Sequence, residues 1–167
     1  MNRLIVTFFG VGLLKPAPGT WGSLAAVLAA YGLWWLGGMW LFLAALAAVL
    51  PLAVWAIGRE VARLGPELGT HDPGWIVIDE VAGQWIALIP AVVVPARMGL
   101  DPLQLWPAWV AGFLLFRLFD IWKPGPIGWA DRSLGVKGVL LDDLIAGVFA
   151  AVGVVLLAGL YHGVLMR

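Results

Sequence analysis

PAPGTWGSLAAVLAAYGLWWLGGMWLFLAALAAVLPLAVWAIG, residues 16–58, runs for 43 positions without an Asp, Glu, Lys or Arg. As one helix it would extend about 65 Å, against a bilayer hydrocarbon core of about 30 Å. The run must therefore fold back, and the adjacent Gly37-Gly38 near its middle is where a tight helical hairpin costs least. Spans near 21–36 and 39–58 result. Downstream, Trp75 to Pro95 is apolar apart from Asp79, Glu80 and Gln84, and Leu103 to Trp122 is apolar apart from Gln104, Arg117 and Asp120. Gly138 to Met166 carries Asp142 and Asp143 near its start and then 23 residues free of Asp, Glu, Lys and Arg. The expected fold is all-α: a polytopic helical membrane protein of about five membrane-embedded helices in a single domain, 1–167. Leu4–Leu14 is too short to cross and lacks an A-x-A-like cleavage site, so it is read as an interfacial or re-entrant segment rather than a signal peptide.

Composition supports this reading. Hydrophobic residues make up 62% of the 167 positions and charged residues 12%, with a mean hydropathy of +0.97, which leaves too little polar side chain to cover a water-facing surface. Ten basic residues balance ten acidic ones, so no basic field is available to hold nucleic acid. The chain has no cysteine, which excludes disulfides, thiolate nucleophiles and zinc-thiolate sites.

Threading five spans puts Arg3, Lys15, Arg59, Arg63, Arg117, Lys123, Arg132 and Lys137 on the side of the N-terminus and only Arg97 and Arg167 on the other. By the positive-inside rule the charged face is expected in the cytoplasm. The same face collects every acidic residue except Asp101.

Three polar constellations converge there. Asp79-Glu80 opens the third span, after His71-Asp72-Pro73-Gly74, and Asp79 shares a helix face with Gly83, where another backbone or a ligand can approach. Arg117 and Asp120 stand at i,i+3 with Lys123 just beyond, before two prolines stiffen the turn. Asp142-Asp143 repeats the first logic, with Gly147 four residues after Asp143. Helix capping is the simpler reading of each pair alone, and a snorkelling anchor is that of Arg117. Together with Asp120 the two pairs make up to five carboxylates, whose repulsion needs cations; all-oxygen donors suit hard divalent ions, magnesium foremost where phosphates add ligands. A fourth segment, Lys15-Pro16-Ala17-Pro18-Gly19-Thr20-Trp21-Gly22-Ser23, is a rigid turn whose N–H groups and hydroxyls suit an anion, or else a plain Pro-Gly turn and N-cap. His71 lies in a loop and His162 at the far face, which argues against a His-rich metal site.

The ordered motifs PAPGTWGSLAA (16–26), HDPGWIVIDEVAGQWIAL (71–88), FRLFDIWKPGPIGWADR (116–132) and GVLLDDLIAGV (138–148) resemble the bacterial phosphatidylglycerophosphatase A family. The resemblance implies a magnesium-dependent inner-membrane phosphatase that converts phosphatidylglycerophosphate to phosphatidylglycerol. On that reading Asp79, Glu80, Asp142 and Asp143 are the expected Mg2+ ligands or partners of ligands. Among the catalytic candidates Asp79, Glu80, Asp120 and Asp143, either Asp120 or Glu80 is the expected base. Arg117 and Lys123 would clamp the phosphate, with Lys15, Thr20, Ser23, Arg132 and Lys137 as lesser candidates. The expected partners are the lipid substrate and the bilayer.

Two rival classes remain at this stage. A divalent-cation transporter would hold its acids near the bilayer midplane on broken helices, whereas these sit at span ends. Another lipid-headgroup enzyme, a CDP-alcohol phosphotransferase, would carry a D-G-x-x-A-R pattern that is not present.

Overall fold

The computed structural model describes residues 1–65 and 74–161. His71, Asp72 and His162 lie outside the described residues. Among the described residues the chain is helical: α1 (Asn2–Val6), α2 (Pro18–Leu64), α3 (Ile78–Ala87), α4 (Ile89–Arg97), α5 (Trp106–Trp122), α6 (Pro126–Asp131) and α7 (Val136–Leu160), with short 3-10 turns at Val11–Leu13 and Pro102–Leu105. Four stretches are long and apolar enough to cross a membrane: Pro18–Leu64, Ile78–Arg97, Pro102–Trp122 and Val136–Leu160.

The first of these is two arms, 18–36 and 39–64, joined where the helix breaks at Gly37 and Gly38. Gly38 takes φ +67° and ψ −163°, backbone that a side chain with a Cβ rarely adopts. Trp85 shows that the arms fold together. Its Nε1 donates to the Ala26 carbonyl at 2.8 Å, and its ring lies 6.1 Å from that of Phe42. Ala26 and Phe42 would be about 24 Å apart along a straight helix. The outer ends of the arms also meet at one level: Gly22 abuts Val77, the Val77 N–H donates to the Val6 carbonyl at 2.8 Å, and the Asn2 amide donates to the Ala56 carbonyl at 3.2 Å. Counting the two arms, five helical segments of spanning character result, as the sequence led one to expect.

The third span departs from the expected continuous helix. It breaks between α3 and α4 at Leu88, because Pro90 has no N–H to give the Ile86 carbonyl. The fifth span starts earlier than expected, at Val136. Leu4–Leu14 folds as α1, a left-handed turn at Phe8, Phe9 and Gly10, and a 3-10 turn, with Phe9, Leu13 and Leu14 exposed. That compact shape suits an interfacial segment.

α3 is the central element: every residue of it except Glu80 and Ile86 is buried, and it packs against α2, α5 and α7. Its closest neighbour is α7. A Cβ at Gly83 would lie 2.5 Å from the Asp143 carbonyl oxygen, and one at Gly147 would run into the Gly83 carbonyl. Small residues let membrane helices approach closely where hydrocarbon on both sides supplies no hydrophobic drive. Large apolar side chains face outward around the bundle, among them Leu28, Leu114 and Leu156. Trp35, Trp40 and Trp106 are exposed towards one end and Trp55, Trp122 and Trp129 towards the other, the placement of aromatic belts at two interfaces.

Candidate active site

Three helix ends deliver the acids to one place. Asp79 and Glu80 stand in the first turn of α3, Asp120 in the last turn of α5, and Asp142 and Asp143 at the end of the second turn of α7. The capping reading fails for the α7 pair, since the first turn of α7 holds no acid. Asp79, Asp142 and Asp143 are all buried, at 2%, 5% and 4% exposure, where a solvated cap would be open.

The carboxylates form two triads that share one member. Asp79, Glu80 and Asp143 each bring an oxygen within 4.8 Å of the others, and so do Asp120, Asp142 and Asp143. Asp143 is the hinge of the cluster because Gly83 and Gly147 allow α7 to lie backbone to backbone on α3. The i,i+4 glycines thus serve the helix contact that their spacing allowed.

Two basic side chains enter the cluster. Arg117 Nη1 pairs with Asp120 Oδ2 at 2.6 Å and donates to Ser23 Oγ at 3.3 Å; Ser23 in turn donates to the Gly19 carbonyl at 2.9 Å. Glu80 lies against Gly19, where an added Cβ would meet that carboxylate and press on the Arg117 guanidinium. Lys123, in left-handed backbone at the end of α5, pairs with Asp131 of α6 and with Asp142 at 2.8 Å. Partial burial pulls the Lys123 pKa down, but the hydrogen bonds and charges of Asp131 and Asp142 outweigh it and hold the pKa above the ordinary lysine value. Its ammonium therefore stays charged at neutral pH.

Arg117 and Lys123 do not satisfy the cluster. Glu80 Oε2, Asp142 Oδ1 and Asp143 Oδ1 are buried with no hydrogen-bond partner among the described residues. Leaving buried carboxylate oxygens unpartnered costs several kcal/mol each in a low-dielectric setting, a cost that bound cations would relieve. The donors are all oxygens, and among the described residues no His or Cys joins either triad, which fits a hard divalent ion.

The remaining expected residues stand further out. Ser23 is buried in the network, and Thr20 is half-buried in the first turn of α2. Lys15, Arg132 and Lys137 are exposed, and the structure does not draw them into the buried cluster. Sequence reasoning missed Asp131 as the second partner of Lys123. It also passed over Gln84, fully buried one turn below Glu80 on the same helix face, whose amide nitrogen and oxygen both lack a partner among the described residues. The i,i+4 spacing from Glu80 was the available signal. A separate contact also went unread: Glu60, 4% exposed, accepts from Asn2 at 2.5 Å and pairs with Arg63 at 2.8 Å.

Buried acids beside an arginine, at the end of a helical bundle with an apolar exterior, suit metal-assisted chemistry on an anionic lipid. The model of the family described as phosphatidylglycerophosphatase A matches residues 4–158. A phosphatidylglycerophosphatase A of Escherichia coli is 37% identical over 151 residues, covering 89% of this chain and 78% of its own. One of Haemophilus influenzae is likewise 37% identical over 151 residues, covering 90% of this chain and 84% of its own. A protein of Bacteroides thetaiotaomicron provisionally named a phosphatidylinositol-3-phosphatase is 34% identical over 151 residues, covering 88% of this chain and 87% of its own. No solved structure matches. From its motifs, its helical bundle and these relatives, the chain belongs to the phosphatidylglycerophosphatase A family.

Proposed function

We propose that this protein is a magnesium-dependent lipid phosphatase of phospholipid biosynthesis. It hydrolyses the terminal phosphomonoester of phosphatidylglycerophosphate to phosphatidylglycerol and phosphate, at the cytoplasmic face of a bacterial inner membrane. The observation that carries the reading is the set of buried, unpartnered carboxylate oxygens on α3 and α7, in a cluster that Arg117 and Lys123 enter, within a chain of this family. The eight-to-two excess of basic residues on the site's side of the threaded chain supports the orientation.

Asp79, Asp142 and Asp143 would hold Mg2+, Asp143 standing in both triads, with Glu80 either a further ligand or, left off the metal, the base. Bound magnesium supplies charge neutralisation for the phosphoryl oxygens and a more acidic water. The protein supplies the rest. Arg117, aimed by Asp120 and Ser23, presents a guanidinium fork to two phosphate oxygens. Asp120 is committed to Arg117, whereas Glu80 keeps an unpartnered oxygen, which makes Glu80 the better base of the two. It takes a proton from the water attacking phosphorus and returns it to the glycerol oxygen as the P–O bond breaks. Lys123 clamps phosphate only by leaving Asp142; while paired it ties α6 to α7.

A substrate panel tests this reading. With Mg2+ present, purified protein in mixed micelles is expected to release phosphate from phosphatidylglycerophosphate at least about tenfold faster than from phosphatidylinositol 3-phosphate or phosphatidic acid. A preference for the inositol lipid would instead give the chain the activity in the name of its Bacteroides relative. Arg117→Ala is expected to raise KM about 10- to 100-fold with a smaller change in kcat, the loss of a charged hydrogen-bonding partner. Unchanged kinetics would leave Arg117 as a membrane anchor.

A further inference from the structure

Gln84 has no part in the chemistry above, yet it is fully buried in the middle of α3, and its amide nitrogen and oxygen both lack a partner among the described residues. A buried amide group without a hydrogen bond destabilises a fold, and native proteins hold few of them.

The neighbours of Gln84 along its row show which way it faces. Glu80, Gln84 and Leu88 follow one another at i, i+4 and i+8 on one side of the helix. At one end of the row Glu80 lies against Gly19 of α2, where a Cβ would also lie 3.3 and 3.4 Å from the two Nη atoms of Arg117. At the other end Leu88 reaches α5, with its Cδ2 3.2 Å from the place of a Cβ at Gly112. Gln84 stands between them, on the side of α3 turned towards α2 and α5, between the levels of Arg117 and Gly112. Gly83, beside it in the chain, meets α7 instead.

Two more buried atoms on this seam lack partners among the described residues: Glu80 Oε2 and Arg117 Nε. With the amide of Gln84 they make a complementary set of two donors, Gln84 Nε2 and Arg117 Nε, and two acceptors, Glu80 Oε2 and Gln84 Oε1. Glu80 and Gln84 also have the i,i+4 spacing at which side chains of one helix hydrogen-bond to each other.

We propose that Gln84 is a positioning residue of the reaction: in the complex with substrate its amide nitrogen donates to Glu80 Oε2 and its amide oxygen accepts from Arg117 Nε–H. The inference rests on the lipid phosphatase reading above. One amide then ties the carboxylate to the phosphate clamp and sets the angle between them. The guanidinium is held at Nε by Gln84 and at Nη1 by Asp120 and Ser23, so it keeps one orientation towards the phosphate. Glu80 Oε2 retains a second lone pair with which to take a proton from water.

The test is Gln84→Met, which keeps the length of the side chain and removes both hydrogen-bonding atoms. In detergent with Mg2+, kcat for phosphatidylglycerophosphate is expected to fall about tenfold and KM to rise about threefold. The thermal midpoint should stay the same or rise, because two unpartnered polar atoms have left the interior. Wild-type kinetics in Gln84→Met would overturn the proposal, and so would activity and midpoint falling together, the mark of a residue that only packs. A double-mutant cycle with Arg117→Lys, whose side chain has no counterpart of the Nε–H, reads the link itself. In the Arg117→Lys background Gln84→Met should lower kcat/KM only about threefold; the full loss in both backgrounds would show that Gln84 does not act through Arg117 and would overturn the proposal. If Gln84→Met does not fold, Gln84→Asn decides, since it keeps the amide but draws it back by one methylene. A loss comparable to that expected of Gln84→Met supports the link, and unchanged kinetics overturn it. Wild-type protein that releases no phosphate would overturn the functional reading together with this one, an outcome distinct from wild-type turnover that Gln84→Met leaves untouched.

Discussion

Asp143→Asn is expected to reduce kcat for phosphatidylglycerophosphate by about a thousandfold, the scale of removing one electrostatic or acid–base element from a preorganised site. Asp143 belongs to both carboxylate triads, so its loss weakens both at once, whereas Asp142→Asn touches one. Asparagine keeps the shape of the side chain, and its burial at 4% exposure leaves no room for a rearranged solvent shell to compensate. The same change should leave the protein folded. In EDTA its thermal midpoint is expected to equal or exceed that of the wild type, because one of a crowded set of buried carboxyl groups has been replaced by a neutral amide. Wild-type turnover by Asp143→Asn would take this residue out of the site. A loss of activity together with a fall in the midpoint would mark it as a structural residue.

Gly147→Ala is expected to lower activity and stability together. The added Cβ would run into the Gly83 carbonyl, which is backbone and cannot swing aside. α7 would have to move off α3, at a cost of about 1–3 kcal/mol for overpacking a tight contact. The displacement would separate Asp143 from Asp79, and a misplacement of about 1 Å at a reacting group costs about a hundredfold in rate. Activity and thermal midpoint in detergent should therefore fall together in Gly147→Ala, in contrast to Asp143→Asn. Gly159, which an added Cβ would leave in open space, is the matched control: Gly159→Ala should change neither. Full activity in Gly147→Ala would mean that the α3–α7 spacing does not set the geometry of the site.

Much of this architecture was legible because its causes are local. A charge-free run longer than the bilayer must fold, and Gly37-Gly38 offered the conformations for it; the observed φ of Gly38 is the reason two glycines stand there. The pairing of Arg117 with Asp120 followed from i,i+3 spacing within α5. The convergence of Asp79, Glu80, Asp120, Asp142 and Asp143 followed from threading the spans, which puts alternate helix ends on one side. The break at Leu88 had its signal in Pro90, but proline is often accommodated in a membrane helix, and the hydropathy of the segment is continuous across it.

Other features depend on packing between distant segments. The contact of Gly83 with Gly147 selects α7 as the neighbour of Asp79 over any other helix with a small residue, and no spacing rule within α3 encodes that choice. Lys123 pairs across the α5–α6 turn with Asp131 and onward with Asp142 because the left-handed residue at its own position turns the chain back. The bond from Asn2 to Glu60 joins residues 58 apart along the chain. For the α7 acids the sequence pointed to the head of a span; two turns of helix inside Val136–Leu160 put them deeper, where burial rather than the helix dipole sets their behaviour.

The most direct measurement is phosphate release from phosphatidylglycerophosphate by the purified wild-type protein, first stripped with excess EDTA and then given Mg2+. The account expects no release after chelation and full recovery on adding magnesium, with Asp143→Asn remaining inactive under both conditions. Release that persists undiminished in EDTA, or none in Mg2+ from protein shown to be folded, would contradict it.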